Sequence, residues 1–239
     1  MSLLSAYFRQ PASLLPSLSL QTADLHLGWA LVLAALCAYL LRPFPKPLRA
    51  ATILLVFSWV WVPSEWGLGW WLGLAYQTPS LTMQGLAALY LLRVWQMRHA
   101  DTVATLASVT YARWPNGLLV LAVVAGWLLA LDTFAIFKLN FYPLGFTHAA
   151  LFIGLLLSAV LWLLSQRSND AQHAQKYRDL AVILLISMAF HVLTGLPNGN
   201  VWNALMDPWL WLLAQGTLLL RAAAFMVFLL RSRLRLFAK

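Results

Sequence analysis

Residues 127–152 read WLLALDTFAIFKLNFYPLGFTHAALF and consist of two apolar stretches joined by a short polar turn. Asp132 lies in the first stretch and His148 in the second, almost equally far from the turn at 138–143. An antiparallel helical hairpin would place both ionisable groups at the same depth, about one helical turn below a membrane surface. Because ionisable groups are costly in hydrocarbon, we predict a functional role for this pair.

The composition is that of an integral membrane protein. Of 239 residues, 62% are hydrophobic and 10% are charged, and the mean hydropathy is +0.76. Soluble domains carry about 25% charged residues. The net charge of +9 comes from short basic clusters between apolar stretches, which is typical of membrane topology signals rather than of nucleic-acid binding. The single cysteine, Cys37, excludes an internal disulfide framework, and no zinc-binding spacing or phosphate-binding loop is present.

Apolar stretches near the length needed to span a bilayer, about 20 residues, predict an all-α bundle of about seven transmembrane helices. We divide the chain into an N-terminal surface segment (1–25), one transmembrane domain (26–230) and a basic tail (231–239). The segment 64–77, rich in Trp and Gly, suits an interfacial helix or loop. The predicted spans are 26–42, 48–63, 79–97, 116–137, 144–165, 179–196 and 208–230.

The distribution of basic residues predicts the orientation. Lysines and arginines follow the first, third, fifth and seventh spans, whereas the opposite loops contain only Arg9 and Lys138. Basic loops remain in the cytoplasm. We therefore expect a multi-pass inner-membrane protein with its N-terminus outside and its C-terminus in the cytoplasm.

Polar side chains from five spans fall at similar depth below the outer surface. They predict an outward-opening polar pocket, because such groups face the bundle interior or a wet cavity. Alternatively, each makes one interhelical hydrogen bond, worth about 0.6–2 kcal/mol. The pocket candidates are Gln84, Asp132, His148, His191 and Gln215, and the lip candidates are Glu65, Lys138, Asn140, Tyr142 and Trp202.

Arg221 lies near the middle of the last predicted span. Its side chain can extend toward the inner surface. It can also belong to a path for an anion or a lipid headgroup, and for this reason we count it with the pocket candidates. Partners within other spans would be Ser58, Ser158 and Ser187. Most of the thirteen tryptophans are explained by membrane-interface belts.

Three function classes fit these features. The leading one is a permease-like protein or an assembly subunit of a membrane complex, which is not an enzyme and acts in the lipid bilayer with a membrane-protein partner or as a homo-oligomer. The second is a redox anchor that binds haem through His148 and His191, because two axial imidazoles must lie at matching depth. A metal site formed by the same two histidines with His26 and Asp132 is a weaker variant. No metal is predicted. The third is an intramembrane enzyme in which Asp132 and His148 form a base and its orienting partner, although no nucleophile motif accompanies them and no catalytic residue is assigned.

Overall fold

The computed structural model describes residues 15–96, 114–137 and 139–237, with only the backbone for 231–237. These residues form α-helices and one 3-10 turn (Ser64–Trp66), and no β-strand occurs among them. The α-helices are α1 (Leu18–Leu40), α2 (Lys46–Val60), α3 (Leu68–Tyr76), α4 (Leu81–Gln96), α5 (Asn116–Thr133), α6 (Phe141–Leu144), α7 (His148–Arg167), α8 (Ala171–Thr194), α9 (Val201–Leu205) and α10 (Pro208–Phe237).

In the described part of the chain, five helices are long and apolar enough to cross a membrane: α1, α5, α7, α8 and the part of α10 from Pro208 to Leu230. At most 33% of any of their apolar windows is buried inside the protein, so most of this apolar surface faces outward. The all-helical membrane architecture predicted from the sequence is therefore supported, whereas the count of seven spans stays a prediction.

The second and third predicted spans form the shorter helices α2 and α4, of 15 and 16 residues. At 1.5 Å per residue α2 extends only about 22 Å, less than the roughly 30 Å of a hydrocarbon core. The 16 residues of α4 reach Gln96, where this described range ends. Between them, the 64–77 segment forms the 3-10 turn and α3. The exposed side chains of this segment include Trp66, Trp70 and Trp71, as an interfacial helix would require.

The first helix begins earlier than the sequence predicts. We expected a surface segment up to residue 25, but α1 starts at Leu18, where the Ser17 hydroxyl accepts a hydrogen bond from the Leu20 amide at 3.4 Å. Asp24, predicted to lie in that surface segment, is instead buried within the helix. At the other end of the chain, the predicted tail continues α10 as helix to Phe237.

Helix directions follow from contacts at both ends of the bundle. Asp24 early in α1 contacts Gln84 early in α4, and Arg42, just after α1 ends, contacts the Tyr90 hydroxyl late in α4. These two helices are therefore parallel, and α2 with α3 returns the chain between them. Late α4 contacts early α8 through Arg93 and Asp179, so those two helices are antiparallel.

Small residues allow the helices to approach closely. Ala30, Ala34 and Ala38 form one buried face of α1, which packs against α2 and α4. On α7, a Cβ added at Gly154 would lie 2.4 Å from the Met188 sulfur on α8. Such small-residue contacts are typical of helix pairs in membranes.

Candidate functional site

Polar contacts gather several separate segments at one end of the bundle. The Ser80 amide donates to the Asp207 carboxylate at 2.7 Å, the Asn200 amide group donates to the Tyr142 carbonyl at 3.3 Å, and the Trp29 indole donates to the Gln77 carbonyl at 2.8 Å. We call this region the polar end; it comprises the first two turns of α1 and the connections 61–80, 139–147 and 195–207.

The most deeply buried acid of the polar end is Asp24. Its side chain is 5% exposed, and the Gln84 side-chain nitrogen donates to its Oδ1 at 2.9 Å. The same nitrogen donates to the Pro79 carbonyl at 3.1 Å. A Cβ added at Gly28 would lie 2.9 Å from that nitrogen, so this glycine is what lets α1 and α4 meet here. Asp24 is the functional candidate that the sequence interpretation missed.

Asp207 joins two helix starts. Its Oδ1 accepts from the Leu210 amide at 2.6 Å and its Oδ2 accepts from the Ser80 amide at 2.7 Å, while the Ser80 hydroxyl accepts from the Met83 amide at 3.1 Å. A carboxylate next to a helix N-terminus satisfies its free N–H groups. Asp207 therefore fixes the start of α4 against the start of α10.

Asp132 holds its own hairpin turn together. Its carboxylate accepts from the backbone amides of Leu139, Asn140 and Tyr142 at 2.9, 3.1 and 2.6 Å. These bonds fold the segment after α5 onto the start of α6. The predicted pairing with His148, which begins α7 as a half-buried residue, is not among these bonds. The function of this pair stays a prediction.

His191 is fully buried and bonded to the turn that follows its helix. Its Nδ1 lies 2.6 Å from the Leu196 carbonyl, and because a carbonyl only accepts, Nδ1 carries the proton. A histidine that donates from Nδ1 offers Nε2 to a metal. However, this ring is 0% exposed within the described structure. Haem binding through His148 and His191 also stays a prediction.

The two predicted candidates on α10 are not at the Asp24 contact. Gln215 is half-buried and makes no side-chain hydrogen bond to any residue that the structure describes. Arg221 donates to the Trp114 carbonyl at 2.8 Å and to the side chain of Asn116 at the start of α5. Its guanidinium therefore lies toward the end opposite the polar end, and the partners are not the serines considered from the sequence.

The lip candidates differ in their surroundings. Trp202 is 7% exposed and its indole donates to the Phe141 carbonyl at 2.8 Å, while the Tyr142 hydroxyl accepts from Asn203 at 3.1 Å. Glu65 and Asn140 are exposed. Lys138 lies outside the described residues.

The opposite end of the bundle is basic. Arg42 lies over the Tyr39 ring at 4.1 Å, Arg93 pairs with Asp179, and the Lys176 ammonium lies 5.6 Å from the Trp114 ring. We call the region around these residues and Arg221 the basic end. Acids of the polar end and cations of the basic end are thus separated by the length of the bundle.

No group of three or more His, Cys, Asp or Glu side chains placed to hold a metal ion occurs within residues 15–96, 114–137 and 139–237. The metal site considered from His26, Asp132, His148 and His191 is therefore not assembled.

None of the family models, curated proteins and solved structures compared with this chain matches it. The five long apolar helices found in the described part of the chain indicate a multi-pass membrane protein.

Proposed function

We propose that this protein is a permease-like membrane protein, working alone or as a subunit of a membrane complex, in which a solute passes through the polar end. The observation that carries the proposal is the contact between Asp24 and Gln84. It places a buried acid and a buried amide between two parallel helices, one of which is long enough to span a membrane. Intramembrane ionisable residues are rare and typically lie on substrate or ion pathways.

Several features of the fold support this site as a place where helices move. The connection 77–80 before α4 contains Gln77 at a positive φ of 61° and Pro79, so the chain is not helical at the Pro79 carbonyl that Gln84 also contacts. Non-helical backbone at membrane depth is tolerated where it is buried in protein or lines a cavity. The short α2 is compatible with a bundle whose outer part is open to water.

The same proposal includes the orientation. The basic end carries Arg42, Arg93, Lys176 and Arg221, and cytoplasmic segments are enriched in such residues. We place the basic end at the cytoplasmic side of an inner membrane and the polar end outside. The parallel directions of α1 and α4, with α2 between them, support seven passages of the chain. A membrane-protein partner or a second copy would cover part of the exposed apolar surface; no nucleic acid is involved.

Uptake into proteoliposomes tests the proposal. Purified full-length protein is reconstituted and supplied outside with a mixture of common amino acids, monosaccharides and carboxylates, and the vesicle contents are measured by mass spectrometry. We expect at least one component to accumulate above empty vesicles. Gln84→Met, which removes two hydrogen bonds at similar volume, should abolish that accumulation.

The matched control is Gln215→Met, because this glutamine makes no side-chain hydrogen bond within the described residues. We expect it to transport like the wild type. Circular dichroism and gel filtration establish that both variants are folded. Equal uptake by wild type and Gln84→Met, or no uptake of any component, would contradict a permease-like role for this site.

A further inference from the structure

The two oxygens of the Asp24 carboxyl group are not equivalent. Oδ1 accepts the hydrogen bond from Gln84, whereas Oδ2 is buried and has no hydrogen-bond partner among the residues that the structure describes. Asp132 and Asp207 differ from Asp24, because each uses both oxygens to accept from backbone amides. Of these three, only Asp24 has an oxygen that accepts no hydrogen bond from the described residues.

The charged groups on the helices packed against α1 do not compensate an ionised Asp24. α1 packs against α2, α3 and α4, and its Trp29 ring contacts that of Trp209 on α10. Arg221 of α10 is bonded to Trp114 and Asn116 at the basic end. Lys46 and Arg49 begin α2 and Arg93 lies late in α4, all at the basic end, and α3 has no charged residue. The acids in neighbouring segments, Glu65 in the 3-10 turn and Asp207 before α10, supply no positive charge.

His26, on α1 itself, points away from the Gln84 contact. Asp24 and His26 lie two positions apart on α1, so their side chains are separated by about 200° around the helix axis. Its ring lies 5.5 Å from that of Trp61, and its Nδ1 contacts the Thr22 carbonyl at 2.7 Å. It is therefore not the cation that would hold Asp24 ionised.

We infer that Asp24 is a proton-binding site within the membrane, with the proton on Oδ2 at neutral pH. A buried carboxylate without a neighbouring cation is costly, and binding a proton removes that cost. Release breaks the Oδ2–H bond and transfers the proton to a water molecule entering from the polar end, leaving a carboxylate. Gln84 donates to Oδ1 in both states, so it stabilises the ion that remains.

A role for this proton in driving solute passage rests on the function proposed above, but the protonation itself does not. Proton release requires water at Oδ2, and water would enter when α4 moves away from α1. The proton would therefore be bound when the two helices are in contact and released when they separate.

Infrared spectroscopy of the full-length protein in lipid vesicles tests the inference. A protonated carboxyl group has a C=O band distinct from that of a carboxylate. We expect this band at neutral pH in wild-type protein and its loss in Asp24→Asn, which keeps the size of the side chain. Asp170→Asn is the control, and it should retain the band, because the backbone amides of Gln172 and His173 hold the pKa of Asp170 below its ordinary value.

A second measurement on wild-type protein keeps the inference testable where Asp24→Asn does not fold. Labelling all aspartates with ¹³C should move the band, because its source is an aspartate and not the single glutamate, Glu65. A band that is absent at neutral pH, unmoved by the label or unchanged in Asp24→Asn would overturn the inference, whatever the uptake result. Failed uptake with the band present would instead remove the transport proposal and leave the proton site standing.

Discussion

Substitution of Asp207 should destabilise the bundle more than any change at an exposed acid. Asp207 is 7% exposed and accepts from the backbone amides of Ser80 and Leu210. Asp207→Ala leaves the buried Ser80 N–H and the partly buried Leu210 N–H without this partner. Each such loss costs about 1–3 kcal/mol, so the free energy of unfolding should fall by about 2–6 kcal/mol.

Asp207→Asn provides an internal scale for that effect. Its one carbonyl oxygen can accept from only one of the two amides, and its NH₂ group faces the other donor. We therefore expect a loss intermediate between wild type and Asp207→Ala. For a chain of this size, each kcal/mol corresponds to a shift of roughly 2–4 °C in Tm. The alanine variant should thus melt at least about 4 °C below wild type.

The chain contains its own reporter for this measurement. Cys37, the single cysteine, is half-buried on α1, which packs against the α4 that Asp207 anchors. Reaction of Cys37 with a fluorogenic maleimide during heating in detergent therefore follows loss of this packing. Asp170→Ala is the control, because Asp170 caps α8 at an exposed position where water can replace it. If Asp207→Ala melts like Asp170→Ala, the reasoning about its buried amides is wrong.

Two further predictions concern helix packing and pH. A Cβ at Gly126 would lie 2.3 Å from the Trp211 ring, whereas none of the described atoms lies within 4 Å of a Cβ at Gly117 on the same helix. Overpacking in Gly126→Ala should therefore reduce the free energy of unfolding by about 1–3 kcal/mol and lower Tm. Gly117→Ala should leave Tm unchanged or slightly higher. The backbone amides of Gln172 and His173 hold the pKa of Asp170 below its ordinary value, so its contribution to stability is present above that ordinary value and is lost as pH falls through the lowered one. The difference in Tm between wild type and Asp170→Asn should consequently be constant near neutral pH and shrink in acid; a difference that grows on acidification would contradict this assignment.

The hydropathy pattern predicted the architecture because spanning helices are long and apolar. α7 and α8 overlap the fifth and sixth predicted spans, 144–165 and 179–196. An apolar segment of this length in lipid forms a helix, because its backbone groups must bond to one another. Length and composition decide less for 48–63, where the structure forms a helix of 15 residues, and for 79–97, of which it describes 16 helical residues up to Gln96. Their role depends on neighbouring helices and on bilayer thickness, neither of which is encoded locally.

The missed role of Asp24 has a local cause. Residues before His26 include Gln21, Thr22 and Asp24, which lower the hydropathy, so the segment was assigned to the surface. A signal was nevertheless present: Ser17 is a good helix-capping residue, and Gly28 lies one turn after Asp24 on the same face. Neither residue predicts that Gln84 is the partner of Asp24, because that contact joins positions 60 apart in the chain.

The predicted depth of Asp132 in the membrane does not determine which residues its side chain contacts. Its symmetric position relative to His148 was correctly counted along the sequence, but symmetry does not fix the rotation of either helix. The amides of Leu139, Asn140 and Tyr142 are already close through chain connectivity, so they take the carboxylate. Arg221 follows the same rule: its guanidinium extends toward the Trp114 carbonyl at the basic end, as a cation leaving hydrocarbon should.

The placement of the polar and basic ends on opposite sides of a membrane is the central claim, and thiol labelling tests it most directly. In a Cys37→Ser background, Asn140→Cys and Asn198→Cys place exposed thiols at the polar end, and Asn169→Cys places one between α7 and α8. Intact cells are treated with a membrane-impermeant maleimide before and after lysis. We predict that 140 and 198 are labelled in intact cells and 169 only after lysis. Labelling of 169 in intact cells, or of 140 and 198 from different sides, would contradict this topology and the outward polar site with it.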